Sequence, residues 1–217
     1  MTRLEILSDP ICPWCYLGAG NLMRALSERD AHPFAIRWRP YLLDPSLPPE
    51  GIDRAAYLAA KFGAGRDIDA AHTRIAAMGA EVGLAYRFDR ITRTPSTLDA
   101  HRLVHWAAVE NLQTRTAMEL FRRYFELGED ISDPSVLTAA AATEAGLDPA
   151  AVARLLAGDA DRAEVAAEAR AARDMGVTGV PTFILGGQYV LTGAQPVDVW
   201  RKLIDELEAA SISSGHV

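Results

Sequence analysis

The only two cysteines of the chain lie three positions apart, directly after a short apolar segment near the N-terminus, in the motif Cys12-Pro13-Trp14-Cys15. Two thiols at this spacing can close a small disulfide ring. If a helix begins at Cys12, the unpaired N–H groups and the positive dipole end of its first turn face the sulfur and favour the thiolate. Pro13 suits that turn, because its missing N–H is not needed there. The motif therefore predicts a nucleophilic Cys12 and a resolving Cys15.

The segments on either side of the cysteines predict a β-α-β unit. Residues 3–8 are rich in Leu and Ile, as in a short buried strand, and a helix is expected from about residue 13 to residue 29. Residues 34–38 alternate apolar and polar side chains, which indicates a second strand. The cysteines then lie at the turn from strand to helix, a position that is typical of thioredoxin-like redox motifs.

The middle of the chain, from residue 52 to about residue 175, has helical patterns throughout. Ser96 and Asp99 resemble a capping box at the start of one helix. Asp133-Pro134 and Asp148-Pro149 each resemble an N-cap followed by a first-turn proline. We therefore expect a long block that consists only of helices.

Strand patterns return only near the C-terminus. Residues 182–185 and 188–192 are rich in β-branched and aromatic residues, and Gly186-Gly187 between them suits a hairpin turn. Pro196 opens a last amphipathic helix. The end of the chain therefore predicts a β-β-α unit.

These patterns predict an α/β protein with a thioredoxin fold, in which a large all-helical insertion separates the β-α-β half from the β-β-α half. Residues 1–45 and 176–217 would form a discontinuous thioredoxin-like domain, and residues 46–175 the helical insertion domain. A chain of 217 residues is long enough to bury a sizeable core.

Charge and hydropathy exclude several classes of partner. The net charge is -7 and Lys and Arg are not clustered, so nucleic acid and anionic membranes are not expected partners. The apolar runs fall short of the ~18 residues of a membrane span, and the N-terminus lacks the apolar core of a signal peptide. We therefore expect a cytoplasmic protein that acts as a monomer or a homodimer.

Beyond these patterns, the sequence resembles the DsbA family of thioredoxin-fold oxidoreductases, and within it the FrnE-like branch. The specific segments are the cysteine motif after the first strand and the run Gly179-Val180-Pro181-Thr182 before the hairpin. Looser matches to the branch are residues 8–10, 14–18, 97–103, 128–133 and 191–196. Together they span nearly the whole chain.

The resemblance implies a cis peptide bond before Pro181, close to Cys12, with the backbone of Val180 free to pair with an extended substrate. Thr182 belongs to the same predicted substrate-binding segment. The implied activity is thiol–disulfide exchange, in which Cys12 attacks a substrate disulfide and Cys15 resolves the mixed disulfide. The partner would be a peptide or a small molecule with a disulfide or dithiol, and glutathione is one candidate. We expect neither cofactor nor metal, since the Cys12–Cys15 disulfide is itself the redox group.

Each predicted site residue has a simpler interpretation. The cysteines could be inert thiols, or could bind zinc with His101 and His105, although the usual zinc-finger spacing is absent. His101 could line a cleft near Cys12 or serve only as a packing residue. Asp9 could tune the thiolate, relay a proton or cap the turn before the helix. Trp14 could contact substrate or lie on the protein's own surface.

Two other functions are compatible with this fold. One is a glutathione-dependent isomerase or kappa-type transferase, similar to 2-hydroxychromene-2-carboxylate isomerase. Relatives of that kind typically have serine in the place of Cys12 and differ from this chain after the hairpin. The other is a peptide-binding chaperone that uses the edge at Val180 and Pro181. Replacing Cys12 by serine would distinguish these functions, because only thiol–disulfide exchange needs its sulfur.

Overall fold

The computed structural model describes residues 1–63 and 67–214; residues 64–66 of the predicted insertion and 215–217 of the predicted thioredoxin-like domain lie outside this description. Within the described ranges the strands are β1 Thr2–Ser8, β2 Phe34–Pro40, β3 Ile52–Asp53, β4 Arg93–Thr94, β5 Thr182–Leu185 and β6 Tyr189–Thr192. The helices are α1 Pro13–Leu26, α2 Arg54–Phe62, α3 Ile68–Ala80, α4 Leu98–Ala107, α5 Gln113–Arg122, α6 Pro134–Ala140, α7 Pro149–Leu156, α8 Arg162–Asp174 and α9 Val197–Ser214.

A four-stranded sheet joins the two ends of the chain, in the order β2-β1-β5-β6. β1 is parallel to β2 and antiparallel to β5, so that Ile6 lies opposite both Trp38 and Phe183. β1 is central and is buried from Leu4 to Ser8. The expected β-α-β and β-β-α halves are therefore confirmed, and together they build one sheet that places the end of β1 beside the start of β5.

The helices between the two halves pack directly on the sheet and on α1. α4, α5 and α8 contact β2. Tyr16 of α1 stacks on Phe121 and Phe125, with ring centroids 5.2 and 5.9 Å apart, and meets Tyr86 edge-on at 5.3 Å. These aromatic side chains belong to the same apolar core as the strands. The middle of the chain and the sheet therefore share one core, which holds the middle helices against the start of α1.

The middle of the chain is helical apart from one short ribbon, which the sequence analysis did not predict. β3 and β4 pair in antiparallel fashion, with Ile52 opposite Thr94 and Asp53 opposite Arg93. Two residues per strand are too few to show a period-two pattern. The expectation of an all-helical insertion is corrected at this ribbon, which fixes the start of α2.

Local signals located several helix ends correctly. The side chain of Asp133 accepts a hydrogen bond from the N–H of Ser135 at 2.7 Å, and that of Asp148 accepts one from Ala150 at 2.9 Å. The expected capping box at Ser96 is wrong, because the N-cap of α4 is Thr97 and its side chain makes no capping bond. A proline-supported cap is therefore the more dependable signal in this chain.

The C-terminal helix α9 packs beside α1 on the same face of the sheet. Its buried Trp200 meets Phe183 edge-on, with ring centroids 4.8 Å apart. On its outer face Arg201 forms an ion pair with Glu28 at 2.7 Å. None of the helices within residues 1–63 and 67–214 has both the length and the apolar character needed to cross a membrane.

Candidate active site around Cys12 and Cys15

Cys12 lies at the N-cap of α1, as the sequence predicted, with extended backbone angles (φ −88°, ψ 113°). Its N–H donates to the carbonyl oxygen of Asp9 at 2.9 Å, and the N–H of Cys15 donates to the carbonyl oxygen of Cys12 at 3.0 Å. Pro13 occupies the first position of the helix, where it removes no hydrogen bond. The tight turn after β1 therefore holds the first cysteine at the positive end of the helix dipole.

The two thiols are free and lie side by side, with little exposure to solvent. Cys12 is 4% exposed and Cys15 is 1% exposed. The Cys12 thiol donates to the carbonyl oxygen of Val180, with the sulfur 3.6 Å from the oxygen. Burial raises the pKa of the Cys15 thiol well above its ordinary value, and the adjacent Cys12 sulfur raises it further. Cys12 is thus the more accessible of the two sulfurs, and the raised pKa of Cys15 favours its protonated form.

The loop before β5 lies against the first thiol. The Val180–Pro181 peptide bond is cis, as the resemblance implied. Pro181 is buried against α1, where a Cβ atom built on Gly18 would come 3.0 Å from the ring. The Thr182 hydroxyl donates to the carbonyl oxygen of Gly179 at 2.8 Å, within the same loop. Val180 is therefore the member of the predicted substrate-binding segment that faces the thiol, whereas the Thr182 side chain shapes the loop.

Asp9 is fully buried beneath the cysteine motif. Its carboxylate accepts hydrogen bonds from the N–H of Ile11 at 3.3 Å and from the N–H of Leu43 at 2.7 Å. Burial raises the pKa of the carboxyl group to about 6, although both of these hydrogen bonds lower it. The capping role considered for Asp9 is therefore present, and the same carboxyl group can hold a proton near neutral pH.

A cleft of about 440 Å³ opens beside the first thiol. Its walls include Ile11, Cys12, Pro13 and Trp14 from the cysteine motif, and Gly179 and Val180 from the loop before β5. Trp14 is 39% exposed and borders the cleft. The remaining wall comes from the middle of the chain: Leu43, Arg54, Tyr57, Leu58, Lys61, Phe62, Asp67, Ile68, Ala71, His72, Ile75, Thr94 and Tyr124.

The polar residues on that far wall were missed by the sequence analysis. Arg54, at the start of α2, is 9% exposed, and its guanidinium donates to the Tyr124 hydroxyl at 3.1 Å. Lys61 donates to the Tyr57 hydroxyl at 2.5 Å. These residues lie 39 or more positions from the cysteines along the sequence. No local pattern marks them, because only the packing of α2 and of the turn that follows α5 brings them to the cleft.

Of the two roles considered for His101, lining the cleft is not found, because His101 is not among the residues that border the cleft. It is buried next to the end of β2, where its Nε2 lies 3.2 Å from the carbonyl oxygen of Tyr41. Since a carbonyl oxygen can only accept, Nε2 carries the proton. Burial lowers the pKa of the imidazole to about 4. The packing role is therefore the correct interpretation, because α4 turns this face toward β2 and not toward α1.

The zinc alternative is not supported by the positions of the histidines. His105 lies with Asp161 and Glu164, with ligand atoms within 4.8 Å of one another. Within the part of the chain that the structure describes, Cys12 and Cys15 join no group of three or more such side chains. His101 is engaged with a backbone carbonyl, so the two histidines do not complete a site with the cysteines.

Relatives with the same architecture are found over nearly the full length. The uncharacterized protein YwbO of Bacillus subtilis (strain 168) is 27% identical over 208 residues, which cover 94% of this chain and 96% of that protein. The crystal structure of the probable DsbA oxidoreductase SCO1869 from Streptomyces coelicolor is 33% identical, with a TM-score of 0.82 and coverage of 96% and 91%. The cytosolic disulfide reductase DsbM from Pseudomonas aeruginosa, solved with GSH, is 23% identical and similar in fold, with a TM-score of 0.65 and coverage of 94% and 98%.

The family assignment follows from the sequence as a whole. The DSBA-like thioredoxin domain matches residues 3–205, a range that contains the cysteine motif, the cis-proline loop and the helices between them. The narrower FrnE-like branch stays a prediction. The expected thioredoxin fold with two cysteines at the first helix is confirmed by this match and by the similarity to SCO1869. The chain belongs to the family of DSBA-like thioredoxin domain proteins.

Proposed function

We propose that this protein is a dithiol–disulfide oxidoreductase whose redox group is the Cys12–Cys15 pair. The observation that carries the proposal is the contact between two free thiols, one at the N-terminus of α1 beside an open cleft and the other buried behind it. Thiol–disulfide exchange needs an attacking thiolate, a resolving thiol and access for a substrate sulfur. A thiol at a helix N-terminus, a second thiol behind it and an open cleft beside the first support the proposal.

In the first step, the Cys12 thiolate attacks one sulfur of a substrate disulfide. A bond forms between the Cys12 sulfur and that substrate sulfur, the substrate S–S bond breaks, and the second substrate sulfur leaves as a thiolate that takes up a proton. The product is a mixed disulfide within the cleft. The apolar walls of the cleft and the indole of Trp14 would contact the substrate on either side of its sulfur.

In the second step, Cys15 loses its proton and attacks the Cys12 sulfur. The Cys12–Cys15 disulfide forms, the mixed disulfide breaks, and the second substrate thiol is released. Substrate disulfide and enzyme dithiol thus become two thiols and an enzyme disulfide, with two electrons passed to the substrate. Asp9, whose buried carboxyl group has a pKa raised to about 6, is the nearby group suited to accept the Cys15 proton.

The substrate is proposed to be a peptide or a small molecule that carries a disulfide or a dithiol. The cleft of about 440 Å³ lies within the range of small-molecule sites, and the loop at Val180 offers an edge for an extended chain. A protein of similar fold, DsbM, is described as a disulfide reductase and was solved with GSH. Glutathione disulfide is therefore a suitable first small substrate to assay.

The test is reduction of insulin disulfides by the full chain in the presence of dithiothreitol, followed by turbidity. We expect turnover by the wild-type protein and a fall to the uncatalysed rate for Cys12→Ser. Cys15→Ala should keep the first step and accumulate mixed disulfides, which mass spectrometry of the intact protein detects. A Cys12→Ser protein that retains full reductase activity would refute the proposal.

Variants must be compared as folded proteins, so circular dichroism spectra accompany each assay. Ser27→Ala, at the exposed C-cap of α1, serves as a matched serine-to-alanine control on the same helix and should keep wild-type turnover. If wild-type protein catalyses no exchange but isomerises 2-hydroxychromene-2-carboxylate with added glutathione, the isomerase alternative replaces the proposal.

A further inference from the structure

Arg54 places a buried positive charge in the wall of the cleft. Its side chain borders the same cavity as Cys12, and the residue is 9% exposed. Among the side chains that the structure describes, its guanidinium has no carboxylate oxygen within 4.0 Å. A buried arginine is normally paired with an acid, since removing its charge from water is costly. This arginine therefore lacks the anion that such a position usually has.

The contacts that Arg54 does make are with neutral groups. One terminal nitrogen donates to the Tyr124 hydroxyl at 3.1 Å, and the other lies 3.4 Å from Nε2 of His72. Since arginine only donates, this Nε2 accepts and the imidazole is neutral. Burial and the adjacent arginine charge both lower the pKa of His72, in agreement with this tautomer. These contacts orient the guanidinium without neutralising it.

A second buried hydroxyl in the same wall lies close to the Tyr124 hydroxyl without a hydrogen bond of ordinary geometry. The Thr94 hydroxyl borders the cleft, is buried, and has no hydrogen-bond partner of ordinary geometry among the described residues. It lies next to the Tyr124 hydroxyl, which already accepts from Arg54 and donates to the carbonyl oxygen of Arg93 at 3.1 Å. A buried hydroxyl without a partner is uncommon in folded proteins and calls for a specific explanation.

The cations that border this wall are suited to an anion, although the carboxyl groups of Asp9 and Asp44 lie near Tyr57. Lys61 adds a second positive charge, and its ammonium group lies over the Tyr57 ring at 4.9 Å. The carboxylate of Asp67 also borders the cleft, but it accepts a hydrogen bond from the N–H of Ala70 at 2.8 Å as the cap of α3. A planar group with two negatively charged oxygens matches the fork of an arginine and can also accept from a hydroxyl.

We propose that the Arg54 guanidinium and the Thr94 hydroxyl bind a carboxylate of the thiol or disulfide substrate, while its sulfur reaches Cys12. The inference rests on the proposed exchange activity and narrows its substrates to thiols that carry a carboxylate. Arg54 and Thr94 are then specificity residues, contributed by α2 and β4 on the wall of the cleft opposite the cysteine motif. Their effect should depend on the charge of the substrate.

The test compares two disulfides with the pre-reduced full-length protein: glutathione disulfide, which carries carboxylates, and bis(2-hydroxyethyl) disulfide, which carries none. The rate constant of protein oxidation is followed by acid quench and thiol counting. For Arg54→Gln we expect the rate ratio of the charged to the uncharged disulfide to fall ~10- to 100-fold, the range for a lost charge-assisted contact. For Thr94→Val we expect a fall of ~3- to 10-fold.

Arg87→Gln is the matched control, because Arg87 is exposed and does not border the cleft. Its guanidinium forms an ion pair with Asp89, with nitrogen and oxygen 2.8 Å apart. It should leave the rate ratio at the wild-type value. Arg54→Lys keeps the charge, so a ratio between those of wild type and Arg54→Gln is expected. If circular dichroism shows that Arg54→Gln does not fold, the rate ratios of Thr94→Val and Arg54→Lys are used for the test instead.

The outcomes separate this inference from the proposed function. If neither disulfide oxidises the wild-type protein, the exchange activity is refuted. If both disulfides do, and Arg54→Gln slows them equally or not at all, the carboxylate site alone is refuted. Binding can also be measured without any activity, by calorimetry with S-methylglutathione. The wild-type protein should bind S-methylglutathione at least ~10-fold more tightly than it binds the dimethyl ester of that compound. Arg54→Gln should bind S-methylglutathione at least ~10-fold more weakly than the wild-type protein does. Equal affinities would overturn the site.

Discussion

The Tyr86 hydroxyl donates a hydrogen bond of 2.7 Å to the carbonyl oxygen of Pro13, inside the cysteine motif. Tyr86 comes from the segment between α3 and α4, and its ring lies 5.3 Å from that of Tyr16 on α1. The contact therefore connects the middle of the chain to the first turn of α1, next to both sulfurs. It fixes the position of Pro13 within the motif.

Replacing Tyr86 by phenylalanine removes this hydrogen bond and keeps the ring. The Pro13 carbonyl then loses its donor, so we expect the free energy of unfolding to fall by about 1 kcal/mol, the usual net value of a buried neutral hydrogen bond. Urea denaturation of the reduced protein measures this change. Tyr189→Phe is the control, because Tyr189 is 68% exposed, and it should change stability by less than about 0.5 kcal/mol. Equal effects of the two variants would contradict the assigned role of Tyr86.

Asp9 should make the protein less stable as the pH rises from about 4 to about 6. Its pKa is raised from 3.8 to about 6 by burial, so in this window the folded state holds a proton that the unfolded state releases. Stability then falls with increasing pH. At ~1.4 kcal/mol per pKa unit, the contribution lost between these limits is about 3 kcal/mol.

The measurement is the free energy of unfolding of wild type and Asp9→Asn at several pH values from 4 to 7. Asn cannot ionise, so the difference between variant and wild type should shift in favour of Asn as the pH rises. Asn also loses one of the two acceptor oxygens that bind Ile11 and Leu43, which lowers stability equally at every pH. A difference that does not vary with pH would show that Asp9 titrates normally.

His101 should have the opposite pH dependence. Burial lowers its pKa from 6.5 to about 4. Between about pH 4 and pH 6.5 the imidazole is therefore protonated in the unfolded state and neutral in the folded state. Stability therefore falls as the pH decreases through this window, by about 3 kcal/mol in total. In the wild-type protein the contributions of His101 and Asp9 oppose each other between about pH 4 and pH 6.

His101→Gln tests this, because its amide can still donate to the carbonyl oxygen of Tyr41 but cannot titrate. The variant should lose less stability on acidification than wild type does, as measured by urea denaturation at pH 4.5 and pH 7. His32→Gln, at a half-buried position whose Nδ1 accepts from the N–H of Phe34, is the control histidine change. The prediction fails if both variants have the acid sensitivity of the wild type.

Alkylation of the reduced protein should distinguish the two thiols. Only the thiolate reacts with iodoacetamide, and the raised pKa of Cys15 keeps it protonated. Cys15 is also the less exposed of the two, at 1%. At pH 7 we expect one label per chain, at Cys12, with at least ~10-fold selectivity. Peptide mass spectrometry locates the label; equal labelling of both residues would contradict the described arrangement.

Much of the fold could be predicted from local sequence signals. Asp133 and Asp148, each followed by proline, marked helix starts that the structure has, and Gly186-Gly187 marked the hairpin between β5 and β6. The cysteine motif could be placed at the start of α1 because the strand and helix patterns around it are short-range. These elements depend on neighbours in sequence, which is why single-sequence reasoning finds them.

The far wall of the cleft could not be predicted in this way. Arg54 and Thr94 reach this wall through contacts between segments that are distant in sequence, and each lies in a stretch that resembles an ordinary helix or loop. The same holds for Tyr86, which does not border the cleft but hydrogen-bonds to Pro13. For His101 the pattern gave a buried face but left two roles open, packing or lining the cleft, until the contact with Tyr41 showed packing. The periodicity of apolar side chains shows which face of a helix or strand is buried. It does not show which other element packs against that face.

The division of the cleft between two parts of the chain has a consequence for how such proteins diversify. The sulfurs and the loop at Val180 come from the chain ends, while the opposite wall, including Arg54, comes from the segment between them. Substitutions in that segment can therefore alter which molecules are accepted without touching the atoms that exchange electrons. Recognition and electron transfer can evolve as separable traits within one small protein.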